Sequence, residues 1–239
     1  MVNKKTLLKI KKFAVKEDWD KAFGGKSKGN LHLLRTLKLA DFLAKKSKAN
    51  ALIVKAGALL HDVPLVYGKD FGYKKNRKII KDVLQRFELT ELETEKIIEC
   101  VASHEGTVKP KTLEAKVVHD ADVLEKSGVL GVIRHAWKLT NLKKDSGREI
   151  TNVDVQKIID HLLWRGKQVQ TPIAKTINQY LNNSLRVNNI GEIVKETSKL
   201  AKQGIITEKI ATSLFKKLSA KERKKLKSQL DLSYLKKFQ

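Results

Sequence analysis

The apolar run AGALLHDVP, residues 56–64, ends on an imidazole and a carboxylate side by side. The window ANALIVKAGALL leading into it has few polar positions, so it predicts a helix buried over most of its surface. His61 and Asp62 are costly to bury there unless each is paired or bound to something. Consecutive helical residues point about 100° apart, so the two do not share one stripe of the helix. They can instead converge on an ion placed beside the helix end, where Pro64 turns the backbone away. Two ligands do not make a catalytic metal site, so partners are sought among histidines and carboxylates in other apolar runs. GNLHLLRTLKLADFLA sets His32 in an aliphatic helix, with Arg35 one turn on and on the same face. EAKVVHDADVLEKSG sets Asp120 and Asp122 inside another.

This order, H…HD…D on separate apolar helices, resembles the HD superfamily of metal-dependent phosphohydrolases. His32, the pair His61-Asp62 and an aspartate in the context ADVL carry the resemblance. That context makes Asp122 the natural fourth ligand; Asp120, two residues earlier, is the alternative, and both do not easily face one metal. LHLLRTLKLADFLA, AGALLHDVP and LEAKVVHDADVLEKSGVLGVIRHAW each resemble segments of small bacterial and archaeal HD-domain hydrolases. TPIAKTINQYL fits the helix that often follows, which extends the similarity to roughly residues 15–187. The resemblance implies an all-α HD-domain bundle with His32, His61, Asp62 and Asp122 as metal ligands.

Two imidazoles and two carboxylates form a nitrogen–oxygen set suited to Mn²⁺, Fe²⁺, Co²⁺, Ni²⁺ or Zn²⁺. Four protein ligands on an octahedral ion leave two positions, for water and for a phosphoryl oxygen. Such an ion lowers the pKa of water and polarises phosphorus. Cations must also hold the non-bridging oxygens, and Arg35 and Arg134, the latter in GVIRHAW, are the candidates. His104, followed by Glu105 in ASHEG, lies where many HD proteins carry another active-site histidine; it is a candidate for touching substrate or a second metal. His119 is read as packing or as support for the ligands, and His135 and His161 are assigned no role. GKDFGYKKNRK, residues 68–78, is either a cationic rim for phosphate or a solvated loop.

The elements that must position these residues are helices. Apolar periodicity predicts them near 3–17, 29–47, 50–62, 75–88, 90–104, 112–124, 128–142, 152–169, 171–187, 189–202, 206–218 and 220–237. The three prolines, at 64, 110 and 172, fall at helix boundaries, and Thr90 with Glu93 has capping-box spacing. Cys100, the one cysteine, falls in a helical apolar pattern and is read as core filler.

Fifty Lys and Arg against 26 Asp and Glu give a net charge of +24, which favours polyanionic partners unless it reflects composition alone. From residue 191 onward there are 13 Lys and Arg against five Asp and Glu, still with aliphatic residues at helical spacing. The division expected is therefore an HD domain over 1–188 and a basic helical C-terminal extension over 189–239. No apolar run reaches the roughly 18–20 residues of a membrane span, and the N-terminus lacks a signal-peptide pattern, so a cytoplasmic protein is expected. No glycine-rich phosphate-binding fingerprint occurs. The leading expectation is a phosphohydrolase cleaving a phosphoester or phosphoanhydride of a nucleotide or related phosphorylated small molecule. The alternative is an HD-type nuclease or phosphodiesterase, or a nucleic-acid-binding protein, using the basic C-terminal helices.

Overall fold

A computed structural model of the chain describes residues 2–67, 72–142, 148–183 and 189–239. Among them are α-helices and short 3-10 turns, and no strand. Helix α1 spans Lys4–Lys21, α2 His32–Ser47, α3 Ala51–Leu60, α4 Val63–Val66, α5 Tyr73–Leu84, α6 Glu91–Ala102 and α7 Leu113–Glu125. They are followed by α8 (Gly128–Asn141), α9 (Asn152–Lys167), α10 (Pro172–Asn182), α11 (Ile190–Lys202), α12 (Thr207–Ser213) and α13 (Ala220–Asp231). No described helix is long and apolar enough to cross a membrane.

Local chemistry sets the boundaries. Asn50 caps α3 by accepting from the backbone N–H groups of Leu52 and Ile53. Thr90 and Glu93 close the capping box of α6, and Thr112 accepts from Ala115 N–H to start α7. Helix α3 stops at Leu60 because Asp62 leaves the helical path (φ −89°, ψ −1°) before Pro64 opens the one-turn α4. Of the segment 68–78, residues 68–71 lie outside the described residues, and the remainder from Tyr73 begins α5.

The side chains that position the site belong to a first apolar core, built from α1, α2, α3, α5, α6, α7 and α10. Within it α2, α3 and α7 pack pairwise against one another. Gly57 permits this at the α3–α6 contact: a Cβ there would come within 2.5 Å of Cys100 Cβ, which is itself in the core. A second core joins α8 and α9 to α11, α12 and α13, with Ile133 and Trp137 facing Ile193, Val194 and Ile210.

The helices beyond residue 189 are basic on their outer faces, but their apolar stripes lie on α8 and α9 rather than on one another alone. Trp137 Nε1 donates to the Ile205 carbonyl (3.0 Å) and Gln229 Nε2 to the Ser127 carbonyl (2.9 Å). The last expected helix, 220–237, also ends early, at Asp231. Leu232 takes a left-handed conformation (φ 61°) that turns the chain back, and Tyr234 enters the first core.

Candidate active site

Helix packing brings four of the sequence-derived residues to one point. His32 opens α2, His61 and Asp62 follow α3, and Asp122 lies on the inner face of α7. His32 Nε2 is 3.1 Å from His61 Nε2, 3.2 Å from Asp62 Oδ2 and 3.4 Å from Asp122 Oδ1. His61 Nε2 is 3.3 Å from each of the same two carboxylate oxygens.

The protons on both rings can be assigned from their other nitrogens. His61 Nδ1 lies 2.7 Å from the Ala58 carbonyl oxygen, which only accepts, so Nδ1 carries a hydrogen, and in the neutral ring Nε2 presents a lone pair. His32 Nδ1 is held by Glu125 Oε2 in the same way. Two imidazole lone pairs and two carboxylate oxygens therefore face one another inside the protein. Asp62 Oδ1 is buried and accepts no hydrogen bond, and Asp122 Oδ1 is met only by the Lys126 ammonium, at 2.8 Å. With both rings neutral the lone pairs repel one another, and a divalent ion standing among them turns that repulsion into ligation. Donors bonded at about 2.1 Å to a shared ion are roughly 3.0 Å apart at right angles and 3.4 Å apart at tetrahedral angles, which matches the separations found.

The same charges appear in the acid–base properties. Burial alone would push His61 down, but Asp62 and Asp122 outweigh it and hold the imidazole well above its usual value. Burial would raise Asp122, and Lys126 together with the two histidines holds it well below the carboxylate range. For Asp62, His61 is the main opponent of burial, and the net direction is again strongly down.

Asp120 does not join the cluster. Its carboxylate accepts from Gln170 N–H (2.8 Å), Thr171 N–H (2.7 Å) and Thr171 Oγ (2.6 Å), so it ties α7 to the start of α10. Burial raises its carboxyl to about 6 despite those donors. His119 donates from Nδ1 to the His104 carbonyl (2.8 Å), and burial with the neighbouring Arg165 lowers it to about 4.

His104 is buried beside the cluster, with Nε2 3.2 Å from Glu105 Oε1 and 4.0 Å from Asp62 Oδ1. Asp62, His104 and Glu105 each offer a ligand atom within 4.8 Å of the others, as do His32, His61 and Asp122. Asp62 thus stands between two donor groups.

The two arginines separate. Arg35 lies behind His32: Nε donates to Glu125 Oε1 and Nη1 to Glu208 Oε1, both at 2.8 Å. Expected to grip phosphoryl oxygens, it is buried, with carboxylates on two sides, and does not line the cavity beside the cluster. Arg134 approaches Glu125 more loosely, Nε at 3.4 Å, and does line that cavity.

The cavity holds about 430 Å³ and runs outward between α8 and α9. Lys126, Arg134, Lys138, Arg148, Lys157 and Arg165 line it, against two carboxylates, Glu105 and Asp154. Asp154 is already paired with Arg148 through two contacts of 2.7 Å. Its farther wall carries Leu139, Leu142 and Ile158 together with His135 and His161, whose rings lie 4.7 Å apart. Burial pushes both imidazoles down, so they are uncharged at neutral pH.

Sequence reasoning missed Glu125, Lys126 and Arg165. Arg165 Nη2 donates to Asp122 Oδ2 (2.8 Å) and to the His104 carbonyl (3.2 Å). The signal was present in its position, two turns after Ile158 and one after Leu162 on the buried stripe of α9. Glu125 and Lys126 follow Asp122 by three and four residues, the spacing of one helix face.

Residues 31–127 match the sequence model of the HD domain. Ribonuclease Y of Borreliella burgdorferi is 32% identical over 103 residues, which is 40% of this chain and 18% of that protein. The chain therefore spans less than a fifth of the length of the curated relatives it matches. Bacillus subtilis YpgQ, solved in complex with ADP, superposes with a TM-score of 0.59 at 20% identity, over 80% of this chain and 100% of that one. An HD-superfamily hydrolase from Bacillus thuringiensis gives 0.57 at 24% identity, over 80% and 96%. These likenesses show a shared fold.

The HD-domain match over residues 31–127 falls within an all-α fold that holds a buried histidine–aspartate group able to hold a metal ion.

Proposed function

We propose that this protein hydrolyses a phosphoester or phosphoanhydride of a nucleotide, with His32, His61, Asp62 and Asp122 holding one divalent metal. The observation that carries the reading is the meeting of four polar donor groups, 3.1–3.4 Å apart across the histidine contacts, beside a cationic cavity whose lining residues Lys126 and Arg165 contact Asp122. When bound, the ion supplies Lewis acidity and a water acidic enough to attack phosphorus at neutral pH. The chain does the rest. Glu125 and the Ala58 carbonyl fix the tautomers and directions of the two histidines. Arg134 gives the phosphoryl group a cation in the cavity wall, and Glu105 and His104 form with Asp62 a second donor set able to hold another cation.

Six cations favour an anionic substrate, and the uncharged imidazoles with the apolar side chains of the outer wall give a planar ring a surface to lie on. That combination supports a nucleotide over a simple phosphate ester, and the complex of YpgQ with ADP is consistent with it. A second reading, a nuclease acting on RNA, is supported by the local similarity to Ribonuclease Y. The test is a hydrolysis screen of nucleotides, simple phosphate esters and short RNA across Mn²⁺, Fe²⁺, Co²⁺, Ni²⁺ and Zn²⁺, with metal analysis of the purified protein. Metal-dependent release of phosphate or pyrophosphate from nucleotides is expected. Cleavage of RNA alone would favour the second reading, and a metal-free, inactive protein would end both.

A further inference from the structure

Lys126 stands where α7 ends, with Nζ 2.8 Å from Asp122 Oδ1 and 3.0 Å from Asp122 Oδ2. It is buried, yet it lines the cavity. One N–H is aligned on Oδ2, and no other described carboxylate comes within salt-bridge distance of the ammonium. An ammonium has three donors, so donors remain for something in the cavity. Arg165 differs: its Nη2 is engaged by Asp122 and the His104 carbonyl, and Nη1 lies 3.6 Å from Glu105.

The backbone fixes where this lysine stands. Gly131 on α8 packs so closely on the α7–α8 turn that a Cβ would come within 1.9 Å of the Lys126 carbonyl oxygen. Gln229 accepts from Leu130 N–H (3.3 Å) and donates to the Ser127 carbonyl, clamping the same turn from α13. The cation is thus held beside Asp122 Oδ1, the oxygen that faces both histidines.

We propose that Lys126 is a catalytic residue whose ammonium, anchored on Asp122, holds a non-bridging oxygen of the substrate's phosphoryl group. This rests on the phosphohydrolase reading above. In the reaction water forms the new P–O bond, the bond to the leaving oxygen breaks with its electron pair, and one water proton passes to that oxygen or to solvent. Lys126 transfers no proton; it opposes the charge that gathers on the equatorial oxygens. Its position has a second consequence. A cation one contact from the metal-facing oxygen repels a divalent ion, so metal is bound less tightly than the ligand set alone allows.

The two effects have opposite signs, and a purely structural ion pair has neither signature. Lys126→Gln should bind Mn²⁺ several-fold more tightly by titration. Its kcat on the nucleotide found for the wild type should fall about 10²–10³-fold, the usual cost of one charge-stabilising donor. Inorganic phosphate should bind the metal-loaded variant more weakly than the metal-loaded wild type. Lys126→Arg should lie between the two in kcat, at least about tenfold below wild type, because a guanidinium does not reproduce a compact ammonium at one point. If Lys126→Gln does not fold, that reduced kcat at wild-type metal stoichiometry in Lys126→Arg carries the test. Wild-type kcat in either folded variant, or loss of metal together with activity in Lys126→Gln, overturns the proposal. A wild type that neither holds metal nor hydrolyses nucleotides overturns the phosphohydrolase reading instead.

Discussion

Arg35 Nη1 lies 2.8 Å from Glu208 Oε1, although 173 residues separate them. The contact continues inward from Arg35 to Glu125 and from Glu125 to His32, so a residue of α12 supports a member of the metal cluster. Glu208 Oε1 also accepts from Leu31 N–H at 2.8 Å, and Thr207 donates to Asn30 beside it. Glu208→Gln should cost about 1–3 kcal/mol of stability and leave Arg35 without one of its two counter-charges. Truncation before α11 should do far more, since it exposes the apolar faces of α8 and α9. Thermal unfolding of both variants checks this; a truncated chain that melts like wild type would refute it.

The two aspartates of α7 should behave differently. Asp122→Asn should lose metal and strand Lys126 and Arg165, with a stability loss on the order of 3–5 kcal/mol. Asp120→Ala should retain metal and lose about 1–3 kcal/mol, because it frees the backbone donors of Gln170 and Thr171. Metal analysis alongside denaturant unfolding separates the two, and the reverse pattern would place the fourth ligand at Asp120. His61→Ala and Asp62→Ala should each abolish stoichiometric metal.

Acid should weaken the fold through Glu125. Burial would raise this carboxyl, but His32, Arg35 and Arg134 bring it down to about 2 from an ordinary value of 4.5. A carboxylate depressed in the folded state stabilises it above the unfolded pKa, and that contribution fades as pH falls from 4.5 toward 2. The stability gap between wild type and Glu125→Gln should be on the order of 3 kcal/mol at pH near 7 and narrow below about 4.5. Urea titrations at three pH values with chelator present measure it; a gap that does not change with pH contradicts the assignment.

If the basic surface binds nucleic acid, it should do so through the outer face of α13, where Lys221, Lys224 and Lys227 are exposed. Replacing these three by Gln keeps the buried Leu226 and Gln229 in place, which a deletion does not. Binding to RNA or duplex DNA should then lose slope in log K against log salt, by roughly 0.7–0.9 for each phosphate contact removed. Hydrolysis of a nucleotide should be unaffected. An unchanged slope would mean that these lysines touch no phosphate.

The four residues of the histidine–aspartate cluster were legible because each is a polar side chain in an otherwise apolar helical run, a departure with few physical explanations. Asp120 and Asp122 lie in one helix, and the pattern alone left both open; their separation comes from the start of α10, 50 residues away in sequence. Arg35 illustrates the opposite failure. It shares a helix face with His32, which sequence does reveal, but which side of His32 it occupies depends on Glu208, an ordinary first-turn glutamate. The C-terminal helices carry both a basic outer face and an apolar stripe, and sequence alone does not say what the stripe covers. A helix with such a stripe needs a surface to cover, and α8 supplied it.

The clasp formed by Glu208 and Gln229 also bears on synthesis. His32, His61, Asp62, Asp122 and Glu125 leave the ribosome before Glu208, the first group of the clasp to be made. At about 5–20 residues per second, roughly 4–17 seconds pass between Glu125 and Glu208. For that interval the nascent chain carries every donor of the metal cluster, with Arg35 and the α7–α8 turn still unheld. The histidine–aspartate cluster is therefore synthesised before the helices that hold Arg35 and the α7–α8 turn in place.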